Sequence, residues 1–252
     1  MPSSRPWPPS LALLLLEAPR AFLESSLLLP ALPLLRAAPR GDGHAVLVLP
    51  GFVATDLSTR VLREYLTRLG YRAHGWGFGR NFGLEGDLGR RLLRRLEDLH
   101  RRDGKRVSLV GWSLGGIYAR ELAKRAPETV RQVITLGSPF GGDRNGGPAD
   151  PTWLERAVSG EELPPRARER PNRLHPPPVP CTAIFSRSDG IAPWQACVEG
   201  PGEQTDNIEV VGSHCGLGFH PAVLYAVADR LAQPAGAWKP FDRSGLRRAF
   251  FA

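Results

Sequence analysis

The sequence predicts an α/β fold: a mostly parallel central sheet with helices on both faces and a short lid insertion. Three observations lead there. Short apolar runs of strand length alternate with longer runs of helical spacing, the signature of parallel strands joined by covering helices. Ala45 to Leu49 is apolar throughout rather than alternating, as a strand buried on both faces is. Gly111, Ser113 and Gly115 form a G-x-S-x-G turn between an apolar strand and a helical pattern of Ile117, Ala119, Leu122 and Ala123.

The 252 residues suit one large domain, with 42% hydrophobic and 23% charged residues, as in soluble globular proteins. We place that domain at 41–235, after an apolar segment at 1–40 and before a C-terminal tail at 236–252. The net charge of +8 is almost wholly arginine, and a basic surface attracts anionic lipid or nucleic acid. The arginines are scattered and no nucleic-acid motif accompanies them, so no nucleic-acid partner is expected. Cys181, Cys197 and Cys215 have no metal-ligand spacing, and no metal or cofactor is expected. A Cys197–Cys215 bridge and buried free thiols both remain open at this level.

Residues 11–35 carry Leu-rich runs broken by Glu17, Pro19, Arg20, Glu24 and Pro30. They are too short for a bilayer span and lack a clear A-x-A cleavage site. The segment packs on the domain or lies on a membrane surface. The expected location is the cytoplasm, peripheral to a membrane in the second case, and secretion stays open.

The first strand ends in Pro50-Gly51-Phe52, and a helix containing Val61, Leu62, Tyr65, Leu66 and Leu69 follows, ending at Gly70. Tyr71 to Trp76 reads as a second strand, and the Gly- and Phe-rich loop 77–83 as a wall of a cleft or as structural packing. Leu84 to Arg102 reads as an amphipathic helix with Leu88, Leu92, Leu93, Leu96 and Leu99 on one face. Strands are then expected at 107–111, 130–136, 179–186 and 207–211, with a closing helix from Pro221. Residues 141–178, rich in Gly and Pro, read as a small lid with Trp153 and Leu154 facing the cleft.

A serine hydroxyl is a weak nucleophile until a base takes its proton, and a histidine base needs a third group to fix its tautomer. Ser113, Asp189 and His214 each follow an expected strand and come in the chain order nucleophile, acid, base. Asp206 and Asp143 are rival acids, and His220 is the rival base. The amides of Phe52 and Leu114 are assigned to an oxyanion hole. Trp112, Phe78, Phe140, Trp153 and Leu154 are the candidate substrate-binding residues.

Together, Val46 to Phe52, Gly111 to Gly116, Asp189 to Pro193 and Gly212 to Leu217 resemble the α/β-hydrolase superfamily, in particular its bacterial lipase and carboxylesterase-like members. The resemblance spans roughly residues 44–232 and departs at Pro50-Gly51, where many relatives carry His-Gly. It implies a serine hydrolase that cleaves a small-molecule or lipid ester through an acyl-enzyme. The same motifs fit an acyltransferase, a lipid-remodelling deacylase, or a non-catalytic binding protein on a hydrolase scaffold.

Overall fold

The computed structural model describes residues 9–83, 87–141 and 175–251. Six strands form one sheet: β1 (Ala45–Leu49), β2 (Arg72–Gly75), β3 (Val107–Trp112), β4 (Val130–Leu136), β5 (Cys181–Phe185) and β6 (Thr205–Glu209). Their order is β2-β1-β3-β4-β5-β6 and every pairing is parallel. The chain moves outward from β1 to β2, then returns to the other side of β1 and proceeds through β3 to β6. The direction of winding therefore reverses between β1 and β3, and ligands bind at such reversals, beyond the carboxyl ends of the strands.

Register brings those ends level. Leu49 pairs with Gly111 and Trp112 with Leu136, so the loops after β1, β3 and β4 emerge side by side.

Seven α-helices are described: α1 (Leu11–Leu15), α2 (Glu17–Ser26), α3 (Leu32–Arg36), α4 (Arg60–Arg68), α5 (Leu88–Asp103), α6 (Leu114–Arg125) and α7 (Pro221–Leu231). Because successive strand side chains point to opposite faces, β1 splits its apolar run between two cores. Val46 and Val48 join Leu62 and Leu66 of α4 and Val223, Leu224 and Val227 of α7. Leu47 and Leu49 join Leu92, Leu96 and Leu99 of α5 and Ile117 and Leu122 of α6. Leu66 and Leu96 are wholly buried, and truncating either to alanine costs about 2–5 kcal/mol at such sites.

Strand ends shift by one or two residues, and three differences from the sequence expectation go further. Helix α5 begins at Leu88 rather than Leu84, with residues 84–86 outside the described set. Strand β6 spans 205–209 rather than 207–211: its backbone pairs with β5 from Thr205 to Glu209, while Val211 lies 80% exposed beyond the ladder. Pairing with a neighbour decides the limits of an edge strand, and the apolar pair Val210-Val211 is misleading because only Val210 turns inward. The C-terminal stretch packs back onto the domain, burying Phe241 and Phe251 against α7. The expected lid at 141–178 lies outside the described residues apart from its two ends.

The N-terminal segment forms α1 to α3. Pro19 sits in the first turn of α2, where a missing N–H costs nothing, and Pro30 falls between α2 and α3. Among the described residues no helix is long and apolar enough to cross a membrane.

Candidate active site

Strand β3 runs into helix α6 through Ser113, which has φ 53° and ψ −122°. Ser113 and Val53 are the two described non-glycine residues with positive φ. Such backbone is strained for an L-residue and persists only where the surroundings enforce it. Here the enforcement is steric. A side chain on Gly111 would strike the backbone of Gly116, and one on Gly115 would strike the carbonyl of Leu49. Glycine at both positions lets strand, turn and helix close tightly. The turn is further held by the Ser113 amide, which donates to Leu136 O at 2.8 Å.

Asp189 lies in the turn after β5, 3% exposed. Its Oδ1 accepts from the amides of Ile191 at 2.8 Å and Ala192 at 2.6 Å. Its Oδ2 lies 2.6 Å from His214 Nδ1, in the loop after β6. His214 is 5% exposed. Burial alone would lower the basicity of its imidazole, but the Asp189 charge and hydrogen bond, with the nearby Glu17 charge, outweigh it and raise the pKa above the ordinary 6.5. Gly137 at the end of β4 makes room for this pair. It has φ 52°, and a methyl there would stand 3.1 Å from both Asp189 Oδ2 and His214 Nδ1.

Ser113 adjoins the pair through its neighbours. The preceding residue, Trp112, donates from Nε1 to His214 O at 3.1 Å. Gly51, in the loop after β1, comes close enough that a methyl on it would stand 3.2 Å from Ser113 Cβ. Among the described residues no hydrogen bond joins Ser113 Oγ to His214, and the amides of Phe52 and Leu114 donate none. A helix-start amide such as that of Leu114 has no partner within its helix.

The loop bearing Phe52 is pinned by Asn81, a residue that sequence reasoning passed over. Wholly buried Asn81 donates from Nδ2 to Pro50 O at 2.9 Å, accepts from Val53 N at 2.7 Å and donates from its own amide to Ala54 O at 2.9 Å. Tyr118 of α6 donates to its Oδ1 at 3.3 Å. An asparagine between glycines and phenylalanines was the one available signal. The loop 77–83, expected as a cleft wall or as structural packing, thus braces the loop after β1.

Of the proposed substrate-binding residues, Trp112 bonds the His214 loop, and Gly218 packs closely against its ring. Phe140 is buried, with the Arg120 guanidinium 3.8 Å above its ring and Arg120 itself paired with buried Glu199. Phe78 is half-buried, edge-on to Trp76 and beneath Arg91. Trp153 and Leu154 lie outside the described residues, as does the rival acid Asp143. Asp206 is engaged by Phe241 N at 2.7 Å and by Arg243. His220 caps α7, accepting from Ala222 N at 3.2 Å. A cavity of about 500 Å³ lies between α3, α4 and α7, and none of its lining residues belongs to the loops around Ser113.

All three cysteines are free thiols, so no Cys197–Cys215 bridge forms. Burial pushes Cys181 and Cys215 up to about 12 and Cys197 well above its ordinary value, which keeps them protonated and unreactive at neutral pH. No group of three or more metal-ligating side chains occurs among the described residues.

Two metagenome-derived lipolytic enzymes, LipS and LipT, are represented by a structure that is 17% identical, with a TM-score of 0.53 over 71% of this chain and 88% of that one. Est1E from Butyrivibrio proteoclasticus is 14% identical, with a TM-score of 0.55 over 76% of this chain and 89% of that one. The pyrethroid hydrolase PytH is 19% identical, with a TM-score of 0.54 over 77% of this chain and 99% of that one. At these identities the likeness is one of fold. No curated protein matches the chain. The model of the alpha/beta hydrolase family matches residues 45–249, taking in every strand and all the loops described above, and the chain belongs to that family of enzymes.

Proposed function

We propose that this hydrolase cleaves carboxylic esters through an acyl-enzyme on Ser113. The observation that carries the reading is the buried 2.6 Å contact between Asp189 and His214, set beside a serine in strained backbone. Asp189 holds the Nδ1 proton, which leaves Nε2 free to accept the proton of Ser113 Oγ. Oγ attacks the ester carbonyl carbon, and the carbonyl oxygen takes up the negative charge between the Phe52 and Leu114 amides. The bond to the alcohol oxygen then breaks as His214 returns its proton to that oxygen. Water repeats the cycle and releases the acid. The Ser113–His214 hydrogen bond is of a kind that unliganded enzymes often leave open and that tightens on substrate.

Hydrolysis of a panel of p-nitrophenyl esters by wild type and Ser113→Ala tests the reading. Activity that disappears with the hydroxyl supports it; activity that survives rules it out. Adding alcohol acceptors and analysing the products separates hydrolysis from acyl transfer.

The substrate class we favour is an ester with an apolar acyl chain met at a lipid surface. Helix α2 is amphipathic in the inverse sense: Glu17, Ala21 and Glu24 face the protein, while Phe22 and Leu23 are 75% and 64% exposed. Leu11, Leu15 and Leu29 extend that outward apolar face. A helix with this pattern lies in the plane of a membrane interface, and the net charge of +8 favours anionic lipid.

A further inference from the structure

Helix α2 also reaches inward, to the two loops that carry Asp189 and His214. Glu17 Oε1 accepts from the amides of Gly190 at 2.7 Å and His214 at 3.1 Å, and its Oε2 accepts from the Cys215 amide at 2.9 Å. One carboxylate therefore ties the residue after the proposed acid to the proposed base and the residue after it. One helical face further on, Glu24 accepts from the Ser213 amide at 2.7 Å and from Ser213 Oγ at 2.7 Å. Arg20, between them, donates to the carbonyl of Ser188 at 2.6 Å and to its hydroxyl at 2.8 Å. The spacing 17, 20, 24 places all three on one stripe of the helix.

The fit is close on the loop side as well. A side chain on Gly190 would strike the Leu13 carbonyl, and one on Gly216 would strike the Glu24 carboxylate. Both glutamates are buried, at 4% and 8% exposure. Buried carboxylates are retained only where hydrogen bonds satisfy them, and here four backbone amides do so. The acid and base loops follow β5 and the edge strand β6, and they are cross-linked from outside the sheet by a segment some 170 to 200 residues away in sequence.

We propose that Glu17 and Glu24 are positioning residues, which lock the Asp189 and His214 loops in the register that proton transfer with Ser113 requires. The proposal rests on the catalytic roles given above for Ser113, Asp189 and His214. Its physical basis is that proton relays are sensitive to displacements of about 1 Å, which cost up to about 100-fold in rate. Glu17 has a second, electrostatic effect, since its charge lies beside His214 and supports the imidazolium formed during the reaction. The charged and titratable groups facing His214 are Asp189 from the β5 loop, Glu17 from α2, and Cys215 from its own loop. Glu24 and Arg20 stand one residue further off, at Ser213 and Ser188.

The test uses the full chain and compares Glu17→Gln, Glu17→Asp and Glu24→Gln with wild type. Each is assayed for kcat, KM and the pH profile of kcat/KM on a soluble p-nitrophenyl ester, with thermal melting as the measure of folding. Glutamine keeps the shape of Glu17 and removes its charge, so kcat falls about 10- to 100-fold with KM little changed. The acidic limb of the profile moves to lower pH. Aspartate keeps the charge and loses the reach, so kcat falls while the limb stays. Glu24→Gln lowers kcat without moving the limb.

Wild-type kcat and an unmoved limb in folded Glu17→Gln overturn the proposal, as does a lower melting temperature with unchanged kinetics. If Glu17→Gln does not fold, Glu24→Gln decides by its kcat, and failure of both to fold assigns the carboxylates to stability alone and overturns it. Fluorophosphonate labelling of wild-type Ser113 is read separately. Absence of labelling sinks the esterase reading, whereas labelling with unaffected glutamate variants sinks only the positioning role.

Discussion

His214 Nδ1 and Asp189 Oδ2 stand 2.6 Å apart in a site where neither side chain is more than a few percent exposed. A base must be neutral to accept a proton, so with His214 as the proposed base kcat/KM is expected to fall as pH drops through its pKa. That pKa is raised, chiefly by Asp189 acting against burial, so the acidic limb lies above the ordinary histidine value of 6.5. Asp189→Asn removes the charge and the hold on the tautomer. It moves the limb down and lowers kcat by about 10⁴, as a pH–rate profile of each protein will read.

Gly137 offers a second check. Alanine there must accept φ 52° and place a methyl 3.1 Å from both members of the pair. We expect Gly137→Ala to lower kcat by about 100-fold and to cost about 1–3 kcal/mol of stability. Calorimetry and steady-state kinetics measure the two effects, and full activity in the folded variant would dissociate this pair from catalysis.

Asn81 acts on the other side of the site. Asn81→Asp removes the Nδ2 donor to Pro50 O and frees the loop that carries Phe52. Loss of one oxyanion donor costs about 10²–10³ in kcat, and partial displacement of the Phe52 amide, proposed as one such donor, is expected to cost less. The expected loss is about 10- to 100-fold in kcat, with KM nearly constant. A large rise in KM with kcat intact would instead assign Asn81 to ground-state binding.

A second Ser-His-Asp set exists and serves as a control. At the opposite end of the sheet His44 Nε2 lies 2.8 Å from Ser108 Oγ, and its Nδ1 contacts Asp42. Ser108 in β3 and His44 just before β1 are wholly buried, so no substrate reaches them. Burial also holds His44 below its ordinary pKa and therefore neutral at pH 7. Ser108→Ala is expected to cost about 1–3 kcal/mol, by leaving a buried partner unsatisfied. It leaves fluorophosphonate labelling intact, whereas Ser113→Ala abolishes labelling.

The outward face of the N-terminal helices is tested by vesicle flotation. Leu15 and Phe22 are at least 70% exposed, and glutamate at both places charge on the face proposed to lie in lipid. Wild type is expected to float with vesicles containing phosphatidylserine, more weakly as salt rises, and Leu15→Glu/Phe22→Glu to remain unbound. Equal flotation of the two proteins would discard the interfacial reading.

The sequence by itself determined the layered α/β architecture. Strand-length apolar runs between helical patterns admit few other packings, and the glycines around Ser113 leave the chain one sharp course between strand and helix. It also marked Asp189 and His214 as residues standing just beyond strands. Only the tertiary structure decided how those loops are held. Glu17 and Glu24 read as interruptions of a leucine-rich segment, because hydrophobic periodicity assigns charged residues to solvent. Their inward orientation depends on backbone amides supplied by loops 173 to 198 residues distant. The same holds for the limits of β6 and for Phe140, whose ring lies beneath a buried arginine. In each case the partner is brought near by the fold, and local pattern carries no record of it.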